Sequence, residues 1–88
     1  MENVVKKKID LLSTPIWSVR DIATYIGKSK TTAYTIKDNV IADKGKSKFG
    51  TIYVYRDDVL EYLGTTAEKE LKTLKVFVNE EELQERNL

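Results

Sequence analysis

The chain has 88 residues, 41% hydrophobic and 33% charged with a formal net charge of +1, a mix that folds as one small domain. It contains no cysteine and no histidine, which excludes disulfides, thiolate or imidazole metal sites, an imidazole base and a Ser-His pair. No apolar run is long enough for a membrane span or a signal peptide, so a cytoplasmic location is expected.

From the N-terminus, residues 2–12 place Val5, Ile9 and Leu12 at i, i+4 and i+7, with Val4 and Leu11 alongside. This spacing predicts an amphipathic helix, ended by Ser13-Thr14-Pro15 because a proline disfavours helical geometry at the residue before it. Ser18 then stands as an N-cap, and Asp21 three residues on completes a capping box. Val19, Ile22, Ala23 and Ile26 follow on one face, and Gly27 sits where a helix closes on a left-handed residue.

Only Lys28 separates that stop from Ser29, the next N-cap. In the helix that Ser29 opens, Ala33, Ile36 and Val40 share one side with Lys37 at its edge. Thr31, Thr35 and Asp38 fall opposite, flanked by Lys30 and Tyr34. Two short helices joined so tightly must cross at a large angle, the helix-turn-helix arrangement.

Val40-Ile41 and Thr51 to Tyr55 are β-prone and flank the glycine-bracketed segment that carries Lys44, Lys46 and Lys48. A β-hairpin with a basic tip is expected there. Asp57 or Asp58 is expected to cap a short helix bearing Val59, Leu60, Tyr62 and Leu63, stopped by Gly64. In the tail, Thr65 with Glu68 reads as a capping box for a helix whose stripe is Ala67, Leu71, Leu74 and Val78. Asn79 with Glu82 reads as a third box opening a new helix, with residues 75–78 open between helix and strand.

Charge is distributed unevenly. Residues 28–48 hold six lysines against two aspartates, whereas residues 65–88 hold four basic groups against six acidic ones. A basic middle suits an anion-facing surface, and it equally suits a solvated loop. The carboxylates are scattered or sit at helix starts, where they answer backbone N–H groups. No converging set of groups points to catalysis, so a protein without enzymatic activity, metal or cofactor is expected. Tyr53 and Tyr55 share a strand face, read either as a stacking platform for bases or as hairpin packing.

The outer face Lys30, Thr31, Tyr34, Thr35 and Asp38 is ill suited to a protein core and well suited to a groove edge of duplex DNA. Lys28 and Lys30 stand at the helix start, where N–H groups bind a phosphate, and Lys44, Lys46 and Lys48 can follow a neighbouring phosphate track.

The residues Val19-Arg20-Asp21-Ile22-Ala23, Tyr25-Ile26-Gly27, then Ser29-Lys30, Thr32 and Tyr34, then Tyr55-Arg56-Asp57-Asp58-Val59-Leu60 and Tyr62-Leu63 carry a family pattern. Through them the stretch 16–64 resembles the excisionase-type DNA-binding domain, a relative of the MerR-like winged helix-turn-helix. The polar Lys37-Asp38-Asn39 departs from the family's usual apolar ending of the second helix, and the N-terminal helix and acidic tail lie outside the pattern. The resemblance implies a mainly α fold with a small β-hairpin. It covers the core 16–64; the residues themselves add a flanking helix 1–15 and a C-terminal acidic helical extension 65–88 within a single domain 1–88.

It also implies DNA contacts by Lys28, Lys30, Thr31, Thr32, Tyr34 and Thr35, with Lys37 and the wing lysines Lys44, Lys46 and Lys48 beside them. Excisionase-type domains occupy or bend double-stranded DNA next to an integrase and set the direction of recombination. Their relatives regulate transcription or replication on phage and plasmid elements. An integrase or another element-encoded protein is therefore the expected second partner. The free protein is expected to be a monomer or weak dimer that binds DNA cooperatively. The competing expectation is a protein-interaction module that reuses the same scaffold to bind or inhibit another protein, favoured by the near-neutral charge and acidic tail.

Overall fold

The computed structural model describes the backbone of residues 2–86 and the side chains of residues 4–76. Among them are five helices and one two-stranded antiparallel sheet. In chain order these are α1 (Glu2–Leu12), β1 (Ile16–Trp17), α2 (Val19–Ile26), α3 (Lys30–Lys44), β2 (Val54–Tyr55), α4 (Arg56–Tyr62) and α5 (Ala67–Arg86). No described helix is long and apolar enough to cross a membrane.

The local signals for α1 and α2 translate directly into structure. Ser18 Oγ accepts from the Asp21 N–H at 3.3 Å, and the Asp21 carboxylate accepts from the Ser18 N–H at 3.0 Å. Gly27 closes α2 at φ +68°, the left-handed region that penalises any side chain. Ser29 caps α3 by accepting from the Thr32 N–H at 3.4 Å.

The expected hairpin does not form. Val40 and Ile41 continue α3 instead, which runs on to Lys44. The reason is burial at helical spacing: Ala33, Ile36 and Val40 fall on one stripe and are buried, with Ile41 packed beside them. That gain outweighs the modest β preference of two branched residues. The sheet partner of β2 is the distant β1, with Ile16 opposite Tyr55 and Trp17 opposite Val54. Residues 45–53 form a loop with a single bridge between Ser47 and Gly50.

Three further expectations are corrected. Neither Asp57 nor Asp58 caps α4. The chain passes straight from β2 into the helix with Tyr55 at the N-cap position, and both aspartates sit in the first turn. The Arg56 N–H is taken by the Pro15 carbonyl at 2.9 Å. Thr66, not Thr65, caps α5 by accepting from the Lys69 N–H at 3.2 Å, and Thr65 donates to Glu70 Oε2 at 3.3 Å. The backbone of α5 is continuous to Arg86, so residues 75–78 are helical and no new helix opens at Asn79. The side chains of Val78, Asn79 and Glu82 lie outside the described residues.

Trp17 organises the core. It is fully buried, its ring lies 4.9 Å from that of Tyr25, and its indole N–H donates to the Leu11 carbonyl at 2.7 Å. Around it pack Leu12, Ile22, Val40, Val54, Val59 and Leu60. Leu11 of α1 and Ala67, Leu71 and Leu74 of α5 add a partly buried outer layer to this core. The Arg56 guanidinium donates to the Leu12 carbonyl, which ties the end of α1 to the start of α4. The Tyr25 hydroxyl donates to Glu70 Oε1 at 2.6 Å and joins α2 to α5.

Candidate nucleic-acid interface

With its apolar stripe on the core, α3 turns the opposite face outward. Lys30, Thr31, Thr32, Tyr34 and Thr35 are all exposed, as is Lys28 in the turn before the helix. Tyr34 is 52% exposed although aromatic, and the Lys37 ammonium lies 5.1 Å from its ring centroid. This cation–π contact orients both side chains on one face. Lys37 itself is half-buried at the edge of the core stripe. Thr35 donates its hydroxyl to the Thr31 carbonyl at 3.2 Å, leaving its methyl group and an acceptor lone pair outward.

The basic residues of the middle segment divide into two groups. Lys44 belongs to the last turn of α3, not to a hairpin tip. Its Nζ lies 3.0 Å from Glu61 Oε1, and that carboxylate raises the ammonium above its ordinary pKa. Lys44 therefore fastens α3 to α4. Lys46 and Lys48 are exposed on the loop and form no ion pair with the described residues.

The loop is held from within. Ser47 is buried, donates its hydroxyl to the Tyr53 carbonyl at 2.8 Å, and accepts from the Phe49 N–H at 3.1 Å. The Tyr55 hydroxyl accepts from the Lys48 N–H at 3.5 Å, and the rings of Phe49 and Tyr53 meet edge to face at 6.1 Å. Tyr53 lies outside β2, so the two tyrosines do not form a shared strand face.

Between this loop and α3 runs a cleft of about 330 Å³. Its walls are Ser18, Val19 and Arg20 from the start of α2, Lys30, Tyr34 and Lys37 from α3, and Thr51 with Ile52 from the loop. Three cations from two helices thus converge on one open channel. Of these cleft residues, Lys30, Tyr34 and Lys37 are among those singled out from the sequence; Arg20, Thr51 and Ile52 are not. The signal for Arg20 was its place in the first turn of a well-capped helix, off that helix's apolar face. Ile52 shares strand parity with the buried Val54 and reads as inward, but the strand is only two residues long and the chain turns before it. Thr31, Thr32 and Thr35 stand outside the cleft wall.

Comparison with protein-family models, with curated proteins and with solved structures finds no match for this chain.

Proposed function

We propose that this protein binds duplex DNA sequence-specifically as a small winged helix-turn-helix, without enzymatic activity of its own. The observation that carries the reading is the cleft between α3 and the loop, with Arg20, Lys30 and Lys37 on its walls. A helix seated in the major groove is bounded by a phosphodiester strand, and a channel beside that helix lined with cations accepts such a strand. Thr31, Tyr34 and Thr35 then face base edges, where hydroxyls and methyl groups find partners. Lys28 stands at the start of α3 for a phosphate, and Lys46 and Lys48 reach a second track. In the setting that the excisionase resemblance suggests, such a protein serves a phage or other mobile element. There it acts as a recombination directionality factor beside an integrase or as a small transcription regulator.

A second reading has one observation in its favour. The total charge is only +1, and the tail from Thr65 is net acidic, which suits a scaffold that binds another protein. Selection of bound sequences from a pool of random duplexes, followed by titration at several salt concentrations, separates the two. DNA binding requires an enriched motif and an affinity that falls steeply with salt. Recovery of no duplex, with the protein folded, overturns the DNA reading in favour of the protein-interaction module.

A further inference from the structure

We infer that Ile52 is an apolar wedge that opens one base step of the bound duplex and bends it. The inference rests on the DNA-binding reading and deepens it by assigning a task to the far wall of the cleft.

Ile52 is 66% exposed, the most exposed of the large hydrophobic side chains described. A single exposed aliphatic residue on a surface is ordinary. This one differs in its mounting and its neighbours. It sits on a loop pinned by the buried Ser47 hydroxyl, by the Tyr55 hydroxyl and by the packed rings of Phe49 and Tyr53. Phe49 is itself 45% exposed, so the tip is apolar over more than one residue. Yet the same tip carries Lys46 and Lys48, and Ile52 shares its cleft with Arg20, Lys30 and Lys37.

A partner for such a surface must present anionic groups outermost and an apolar face just behind them. Nucleobases behind their phosphates meet that description. A lipid surface would meet Ile52 but leave the hydroxyl-bearing face of α3 unmatched. With α3 in the major groove and the bounding strand in the cleft, the next feature of the duplex is the minor groove, and Ile52 stands on that side. Minor-groove proteins insert residues of this type between base pairs and kink the helix. The opening is easiest at pyrimidine–purine steps, so a TpA or CpA step is expected at a fixed distance from the bases that α3 reads.

The test uses the full chain and duplexes it recovers from a random pool, with 2-aminopurine replacing adenine at each TpA and CpA step in turn. Binding is followed separately by anisotropy of a terminal dye. The expected result is a severalfold rise in 2-aminopurine fluorescence at one step only. Ile52→Ala, at an exposed position that leaves the fold intact, abolishes the rise and weakens binding about tenfold, the scale of one buried aliphatic side chain. Ile52→Met retains both. Binding without any brightening overturns the wedge and leaves the DNA reading standing, and equal brightening with Ile52→Ala removes Ile52 from the role. Failure to recover or bind any duplex overturns both. Tighter binding to phosphatidylglycerol vesicles than to duplex, lost in Ile52→Ala, would assign the tip to membranes instead.

Discussion

At the residue scale, the side chains proposed to touch DNA are largely distinct from those that hold the fold. Lys30 and Thr31 are exposed and have no hydrogen bond from their side chains to the described residues. Lys30→Ala, Thr31→Ala and Arg20→Ala are expected to leave the thermal midpoint nearly unchanged. Each should weaken specific DNA binding, by about 1–3 kcal/mol where a base contact is lost. Fluorescence titration paired with thermal melts checks this, and a folded triple variant that binds like the parent refutes the interface. Tyr25 shows the opposite balance. Burial first, then its bond to the Glu70 carboxylate, raises the phenol pKa well above the ordinary 10.0. The native state thus holds this proton more tightly than the unfolded chain does. The contribution is complete below pH 10.0 and is lost as pH climbs from there towards the folded value. Urea melts at rising alkaline pH should show a loss of stability that Tyr25→Phe reduces. The same variant should cost about 1.5–3 kcal/mol at neutral pH by removing a hydrogen bond to a charged group.

At the scale of elements, what was legible in the sequence depended on how local the cause was. The caps Ser18 and Ser29, the left-handed Gly27 and the stripes of α1 to α3 act within a few residues, and each could be read in advance. The β1–β2 pairing could not, because it joins Ile16–Trp17 to Val54–Tyr55 and nothing in either dipeptide names its partner. Missing it displaced the sheet onto Val40–Ile41 and turned a constrained loop into a supposed hairpin. Lys44 was misplaced by the same error, and with it the strength of the basic loop. The salt dependence of binding checks the corrected assignment. Replacing Lys46 and Lys48 together by serine should lower affinity for all duplexes alike. It should also reduce the slope of log affinity against log salt by up to about two. Lys44→Ser should change that slope little and act instead through the contact of α3 with α4, a small effect at so exposed a pair.

At the scale of the whole molecule, the chain is elongated, 49 Å long and 23 by 20 Å across. The flanking helices α1 and α5 pack on one another, and Leu11, Leu12, Ala67, Leu71 and Leu74 from them pack into the core of the same copy. Val4 and Val76 remain outside, 53% and 56% exposed. Among the described residues of these two helices, that is little apolar surface for a stable dimer, which buries roughly 800 Å² per partner. Light scattering should therefore return a monomer or a weak dimer. On DNA the balance changes, because a neighbour on the same duplex is present at high effective concentration. Half-sites one turn apart are about 34 Å from centre to centre. Two copies 49 Å long clash at that spacing if they lie along the duplex and fit side by side if they stand across it. Two-site duplexes with this spacing should fill cooperatively, and identical titration of one-site and two-site duplexes would reduce the outer valines to ordinary surface.

The pairing of Trp17 with Val54 also has a kinetic meaning. Together with the bond from the Arg56 N–H to the Pro15 carbonyl, it draws both ends of residues 18–53 to one point. The helices within that stretch are stabilised by contacts close in sequence and can form early in folding. Closing the stretch must wait for a search over a long loop, whose entropy is met before any pairing rewards it. Refolding should therefore pass its barrier when Trp17 meets Val54, with α2 and α3 already associated. A chain that unfolds by reversing those steps releases the loop 45–53 before it loses its helices.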